Sequence, residues 1–455
     1  MYKYLVASLL FITFSAKSQE LLTLEDVVKI TIENNFDVEI AKNNIQVAKN
    51  NNNIGLIGGG QSTGGTVSGG TTGMLPQVSL AAGSPQNPLG FGRTTSTLKY
   101  DPSSKITPVT GQTLNSLSYS PSLVVTWYFF DGMKMFATKK KLNRAEELSD
   151  LQYRLTVENT LLTALTTYYQ MISIKQFIKS LNTSLLLGQD QKKLAEEKLK
   201  AGVGSAVDVL QTQIDYNNIL VQITQQENLL NEQRVNLNLV LKRPQDVEFS
   251  VPDTIIIKTE PEYTSALENT DRNNSSILIG RKTLDIDQLA LKEFKANAWP
   301  KIGLTGNYTY QYISNDVGVL RLNQNYGYNG GFIFSWTILN NLTTRTAIRN
   351  QKLLQSSDNL RLQASEMQEK SNLYKAYLSF RNNLKIIELA RENVKLSNQS
   401  LYIAAQRFKQ GLSNYIEYRT VKLAYETAEY QLSQAAYNTK LSELNFLKAQ
   451  GLLVH

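Results

Sequence analysis

Two stretches of about 70 residues, Gly132 to Ala201 and Asn341 to Gln410, contain no proline and only one interior glycine, Gly188. An uninterrupted helix of that length would run about 105 Å, at a rise of about 1.5 Å per residue. No compact globular core requires so long an element, so the chain must be elongated where these helices lie. Each stretch ends in a glycine turn, Gly202-Val203-Gly204 in one case and Gly411-Leu412-Ser413 in the other, which supplies the left-handed residue that closes a helix. A second helical pattern of about 38 residues follows each turn. In the later one, Ile416, Leu423, Tyr430, Tyr437 and Leu444 recur at heptad spacing, while Val421, Ala428, Ala435 and Ser442 keep a register of small residues. That pairing predicts a coiled-coil seam with closely approaching backbones.

The two stretches are copies. When the chain is slid against itself, Trp127 falls on Trp336, Gly202 on Gly411, Val207 on Ile416 and Asp208 on Glu417 without a gap. Upstream, Asn34-Asn35 matches Asn273-Asn274, and Leu75 to Leu80 matches Trp299 to Leu304. Such a repeat governs the whole fold. The expected organisation is a leader over residues 1–18, a first repeat over 19–242, a linker over 243–262, a second repeat over 263–450 and a tail over 451–455. Each repeat reads as a helix, two strands, the long helix and a shorter helix. The opening helices run from Thr23 to about Asn53 and from about Tyr263 to Ala296, the first with Thr23 and Asp26 placed for a capping box. The first and last helices of a repeat together match the long one in length. Two short helices stacked end to end would therefore lie antiparallel to one long helix, with strands at one end and glycine turns at the other.

The clearest strand is Ile302 to Tyr312, in which Ile302, Leu304, Tyr308, Tyr310 and Tyr312 alternate with Gly303, Thr305, Asn307, Thr309 and Gln311. Pro76 to Gly83, Leu123 to Phe130 and Phe332 to Leu339 read as the other three. Alternating strands of about 10 residues suit an outer-membrane barrel. Trp127, Trp299 and Trp336 fall at the helix-joined ends of these strands, as membrane-interface aromatics do. Four strands leave two open edges, which lipid does not tolerate, so the chain must associate with other copies. The N-terminus agrees with export: Lys3, the apolar run Tyr4 to Phe14 and the small residues around Ala16-Lys17-Ser18 form a signal peptide. Beyond it no apolar run is long enough for a helical span, so entry into a membrane would be by strands.

Composition removes most chemistry. There is no cysteine and one histidine, His455, which excludes Cys/His zinc sites, cysteine nucleophiles, Ser-His-Asp triads and disulfides. Adjacent acids such as Glu146-Glu147 and Glu196-Glu197 diverge by about 100° on a helix and do not converge on one substrate. No catalytic residue, metal ligand or cofactor is assigned. The formal net charge of +8 is scattered rather than gathered in a patch, so nucleic acid is not an expected partner.

Taken together, Leu24-Glu25-Asp26-Val27-Val28 with Glu33-Asn34-Asn35, Leu75-Pro76-Gln77-Val78-Ser79-Leu80, the run WYFFDG from Trp127 to Gly132, and Gly202 followed by Asp208-Val209-Leu210-Gln211-Thr212-Gln213 with its degenerate copy Gly411 to Glu417 give a resemblance. The chain resembles the TolC-like outer-membrane efflux proteins over essentially its mature length. The resemblance implies a mostly α fold with a membrane β-barrel: a homotrimer whose four strands per protomer form a 12-stranded barrel, continued by an α-helical coiled-coil tunnel across the periplasm. It implies the outer membrane of a Gram-negative bacterium, a periplasmic adaptor protein, an inner-membrane transporter (a proton-driven pump or an ABC exporter), and no chemistry of its own. Asp208 and Glu417 would then face or brace the periplasmic gate, while also favouring the first turn of the helices they open. Thr420 stands where relatives often carry a second acid. The turns at Gly202, Val203, Gly204 and at Gly411, Leu412, Ser413 would dock the adaptor. Pro85 to Asn115 and Ser314 to Gly327 are the expected extracellular loops, and the glycine-rich insertion Gly55 to Gly73 has no counterpart in the resemblance. Small-molecule efflux and type I protein secretion share such a pore; a non-channel periplasmic coiled-coil scaffold is the alternative from another class.

Overall fold

The computed structural model describes residues 20–57, 74–82, 91–94, 114–257, 260, 262–315 and 322–454. The leader and most of the glycine-rich insertion lie outside them. In chain order the elements are β1 (Glu20–Leu21), α1 (Leu24–Asn34), α2 (Phe36–Ile57), β2 (Gln77–Ala82), β3 (Phe91–Thr94), β4 (Leu114–Tyr119), β5 (Pro121–Phe130), α3 (Lys134–Lys200), α4 (Ala206–Val240), β6 (Phe249–Ser250), α5 (Tyr263–Asn273), α6 (Ser275–Ala296), β7 (Lys301–Asn315), β8 (Leu322–Ser335), α7 (Thr343–Lys409) and α8 (Tyr415–Ala449). The duplication is visible element by element: α3 and α7 each have 67 residues, and α4 and α8 each have 35. Among the described residues no helix is long and apolar enough to cross a membrane.

Two compact units partition the chain. One comprises the described residues of 20–42, 152–278 and 364–454; the other comprises those of 43–151 and 279–363. The first is helical, and its largest core joins Leu22, Val27, Tyr168, Met171, Ile172, Leu237, Phe249 and Leu444. The linker between repeats enters that core: Phe249–Ser250 pairs in parallel with Glu20–Leu21, and Val251 is buried beside them. Thr23 and Asp26 form the capping box their spacing predicts, with Thr23 Oγ1 accepting from the Asp26 N–H at 3.2 Å and Asp26 Oδ2 accepting from the Thr23 N–H at 3.1 Å.

The opening helix of each repeat, expected to be continuous, is broken at one asparagine. Asn35 and Asn274 adopt extended backbones (ψ 138° and 119°) and cap the helices that follow. Asn35 Oδ1 accepts from the Asp37 N–H at 2.8 Å, and Asn274 Oδ1 accepts from Ser276 and Ile277 at 3.0 and 3.2 Å. Their amides then donate to the last carbonyls of the shorter helices, Asn35 to Val240 at 2.8 Å and Asn274 to Ala449 at 3.1 Å. One side chain thus satisfies orphan N–H groups of one helix and an orphan carbonyl of another. This junction is how the short helices meet end to end.

The coiled-coil seam divides differently from its heptads. The small-residue register of α8 is the buried one, with Ala428, Ala435 and Ser442 all covered, whereas Ile416, Leu423 and Tyr430 stay exposed at 69, 45 and 44 %. Small residues allow backbones within the chain to approach, and the larger register is exposed only over its first half, because Tyr430 meets the Phe177 ring at 4.9 Å, Tyr437 packs against the main core and Leu444 is buried in it.

The second unit holds the sheet. β7 is central: β8 lies on one side along its whole length, and β5 and β4 lie on the other, end to end around Ser120, with β2 and β3 beyond them. These are four antiparallel rows with open edges at β2/β3 and β8. Two boundaries correct the sequence expectation. β8 was expected at Phe332 to Leu339 and lies at Leu322–Ser335, and residues 322–327, expected in a loop, belong to it. β7 continues to Asn315 and pairs Ser314 with Leu322, so the ladder recruits a glycine- and asparagine-rich stretch whose own propensity for strand is low. Likewise Phe91–Thr94, placed in the first loop, and Leu114–Tyr119, whose first two residues were placed there, are paired strands.

Candidate functional site

The two glycine turns lie in the helical unit and share one geometry. Gly202 and Gly411 have φ of 76° and 75°, and each turn closes with the hydrogen bonds of a Schellman cap: Val203 N–H to Lys198 O at 3.0 Å, Leu412 N–H to Arg407 O at 2.9 Å. Ser205 and Asn414 cap the next helices, the latter accepting from the Glu417 N–H at 2.9 Å. The turns are joined to each other. Lys198 Nζ donates to Phe408 O at 2.8 Å and sits 4.0 Å from the Phe408 ring centre. Phe408, Tyr415 and Tyr418 form a buried aromatic cluster behind them.

Among the gate candidates, Glu417 is exposed and lies 3.6 Å from Arg407 Nη2. Asp208 is half-buried, and Thr420 spends its hydroxyl on Ile416 O at 2.9 Å. Among the described residues, Glu417 pairs with Arg407 and caps through Asn414, and no ion pair joins it to Asp208. The acid that does bind across the two hairpins is Asp215 on α4, with a side chain only 13 % exposed. It accepts from Tyr415 Oη at 2.8 Å and from Arg419 Nε at 2.7 Å, both on α8. Burial first, and then the Asp215 carboxylate, hold the Tyr415 phenol far above its ordinary range, so it remains a donor. The docking-turn residues are presented outward, Val203 78 % and Leu412 66 % exposed, alongside exposed Val207, Leu210 and Ile416.

The sheet has two chemically distinct faces, fixed by register. Val125 opposes Gly306, Leu123 opposes Tyr308, and Tyr308 opposes Tyr328, so Val78, Leu80, Leu123, Trp127, Leu304, Tyr308, Tyr326, Tyr328, Phe332 and Phe334 share one face. Tyr328 is 89 % exposed and Phe332 84 %, values that an internal core face would not have. The other face carries Gln77, Ser122, Thr126, Thr305, Asn307, Thr309, Gln311, Asn323, Asn325 and Asn329. Lys301, at the first position of β7, is the one charged residue on that face among the described residues of β2, β5, β7 and β8. The tryptophans gather at the helix-joined end: Trp127 Nε1 donates to Met74 O and Trp336 Nε1 to Ala298 O, both at 3.2 Å, and Trp299 precedes β7.

Residues 268–452 match the family model described as outer membrane efflux protein. The matched stretch covers most of the second repeat. Solved outer-membrane channels share the fold of nearly the whole chain. The channel OprN superposes with a TM-score of 0.74 at 15 % identity, covering 95 % of this chain and 93 % of that one. VceC of Vibrio cholerae gives 0.72 at 13 %, covering 94 % and 95 %, and CmeC of Campylobacter jejuni gives 0.74 at 14 %, covering 94 % and 85 %. No curated protein matches the sequence. The TolC-like resemblance therefore holds, as does the fold it implied, a duplicated helical hairpin array carrying barrel strands.

Sequence reasoning missed Asp215, Tyr415 and Arg419. A signal was present. The duplicate of Asp215 is Ala424, and the duplicates of Tyr415 and Arg419 are Ala206 and Leu210. The clasp sits where the repeats depart from one another.

Proposed function

We propose that the chain is the channel subunit of a tripartite export system, a homotrimer that carries small molecules from an inner-membrane transporter and periplasmic adaptor through the outer membrane of a Gram-negative bacterium. The observation that carries this reading is the two-faced sheet with two unpaired edges. Strands with one apolar, exposed face and one amide- and hydroxyl-rich face are stable in lipid only when the edges are closed by further copies. Three copies of four rows give a 12-stranded barrel, with the apolar face toward lipid, the polar face around water, and Trp127, Trp299 and Trp336 at the periplasmic interface. The exposed Ile416, Leu423 and Tyr430 stripe of α8 supplies an apolar surface for neighbouring helices in the same assembly.

The gate follows from the hairpin tips. The Asp215–Tyr415–Arg419 clasp ties α4 to α8 and holds the closed state, and opening requires the α7–α8 hairpin to leave it. Glu417, with Asp208 behind it, supplies a ring of carboxylates by symmetry, which favours cations at the entrance. Among the described residues of β2, β5, β7 and β8 the polar face carries one charge, Lys301, so selection by charge belongs to the tip and to the transporter rather than to these strands. The turns Gly202 to Gly204 and Gly411 to Ser413 present Val203 and Leu412 to the adaptor. The chain itself performs no catalysis and holds no cofactor.

Cysteines placed at Val203 and Leu412 test this reading, because they avoid the left-handed glycines and the native chain has no cysteine. Cross-linking in the native cell followed by mass spectrometry should capture a periplasmic adaptor and a proton-driven pump. Capture of an adaptor with an ATP-driven exporter moves the reading to type I protein secretion. A protein that captures no adaptor at either tip while resident in the outer membrane is not part of a tripartite system.

A further inference from the structure

Where α3 begins and α6 ends, the second unit contains a groove of about 310 Å³ that the export function does not use. Its apolar wall is Met133, Phe136 and Trp299, and these are 61, 48 and 62 % exposed. Its rim is Lys140, Lys292 and Lys295, all exposed. No acidic residue lines it. Among the described residues none of these three lysines has a carboxylate within 4.0 Å, although their neighbours are paired: Lys141 with Glu293 at 2.5 Å and Lys282 with Glu147 at 2.7 Å. Within the basic run Lys139-Lys140-Lys141, Lys139 donates to Asn52 O at 3.0 Å, Lys141 pairs with Glu293, and Lys140 lines the groove.

The groove is built, not incidental. Gly132 has φ of 72°, and a Cβ there would meet Ala296 O at 2.6 Å and Trp299 Cβ at 2.7 Å, so only glycine lets the start of α3 close against α6 and Trp299. The same turn stands directly below Phe130 and Lys301, the helix-side ends of β5 and β7. If those strands cross the outer membrane, as the reading above holds, the groove lies at the level of the periplasmic leaflet's head groups. Three unneutralised ammonium groups over an apolar, aromatic wall match an amphiphile with a phosphate head and an acyl chain.

We propose that this groove binds one anionic phospholipid of the inner leaflet, its phosphate among Lys140, Lys292 and Lys295 and its acyl chain along Met133, Phe136 and Trp299. The inference rests on the outer-membrane reading. Full-length protein in detergent is titrated with phosphatidylglycerol, phosphatidylethanolamine and inorganic phosphate separately, and bound lipid is counted by native mass spectrometry. The same is done for a variant with Lys140→Gln, Lys292→Gln and Lys295→Gln, and for Phe136→Ser. Phosphatidylglycerol should be held about tenfold more tightly than phosphatidylethanolamine. The triple variant should lose that preference while retaining its fraction in the outer membrane, and Phe136→Ser should weaken both lipids alike. Equal binding of the two lipids, or an unchanged triple variant, overturns the proposal, as would a neighbouring protomer filling the groove. Displacement of the lipid by inorganic phosphate at equal concentration makes it a free-anion site and overturns the lipid assignment. Wild-type protein absent from the outer-membrane fraction would instead sink the membrane reading itself, and the proposal with it.

Discussion

Replacing Asp215 by asparagine keeps the size of the side chain and removes its charge, which isolates the clasp between α4 and α8. Two donors converge on the wild-type carboxylate, Tyr415 at 2.8 Å and Arg419 at 2.7 Å. Hydrogen bonds to charged groups contribute about 1.5–3 kcal/mol each, and a neutral bond about 1 kcal/mol. Asparagine can still accept from Tyr415 but offers Arg419 no counter-charge, and Arg419 is 38 % exposed, so solvent already screens part of that pair. The expected loss is about 2 kcal/mol per protomer, or about a 30-fold shift of the tip equilibrium toward opening. Open probability of single channels in planar bilayers reads this directly. Tyr415→Phe removes one bond to the charged carboxylate, at the lower end of that range, and should give about tenfold, and the double variant less than the product of the two, because both act on one carboxylate. Equal thermal midpoints would certify that the fold is intact. An Asp215→Asn channel that opens no more often than wild type, while folded and inserted, refutes the assignment of the clasp as the gate.

The remaining predictions concern charge, caps and sidedness. Burial, and then the facing Asp358 carboxyl, raise Asp287 from its ordinary 3.8 to about 6. The folded state therefore holds a proton that the unfolded chain releases, and this contribution, full below about pH 4, is lost as pH rises through about 6. Asp287→Asn should raise stability above pH 6 by on the order of 1 kcal/mol after screening, and change little near pH 4, as denaturation midpoints will report. Asn274→Ala removes the cap of α6 and the donor to Ala449 O, and should cost about 1–2 kcal/mol of unfolding free energy, with Asn35→Ala similar in the first repeat. Cysteines at Asn329 and Tyr328 should divide by face: the first should react with a charged, membrane-impermeant thiol reagent and lower conductance, and the second only with a lipid-soluble one.

What the sequence disclosed was whatever rests on local, repeated signals. Gly202 and Gly411 marked both tips because a left-handed C′ residue is a local requirement, and the unbroken runs before them fixed α3 and α7 to within two residues at each end. Thr23 and Asp26 disclosed a capping box for the same reason. Tertiary pairing was less visible. The residues Leu322 to Gly331 look like loop because glycine and asparagine dominate them, and only their partner β7 makes them strand. Asn35 and Asn274 appeared as repeat markers, but that they break a helix depends on carbonyls about 200 positions away. The clasp depends on the same kind of separation: Asp215 and Tyr415 are 200 residues apart, and no spacing rule links them. Asp208 and Glu417, prominent because they are duplicated, meet no partner across the hairpins in one chain. In the α8 seam, heptad spacing located two registers, but not that the small one is buried at Ala428, Ala435 and Ser442 while the larger one passes from exposed Ile416 and Leu423 to core Leu444.

The central claim is that the open-edged sheet of one chain is closed by two more copies in the outer membrane. The most direct test is the mass of the complex extracted from that membrane in detergent, measured by native mass spectrometry on the full-length exported protein. Three copies, released only by detergent, is the expected result. A single copy, or protein that leaves the membrane without detergent, would contradict it.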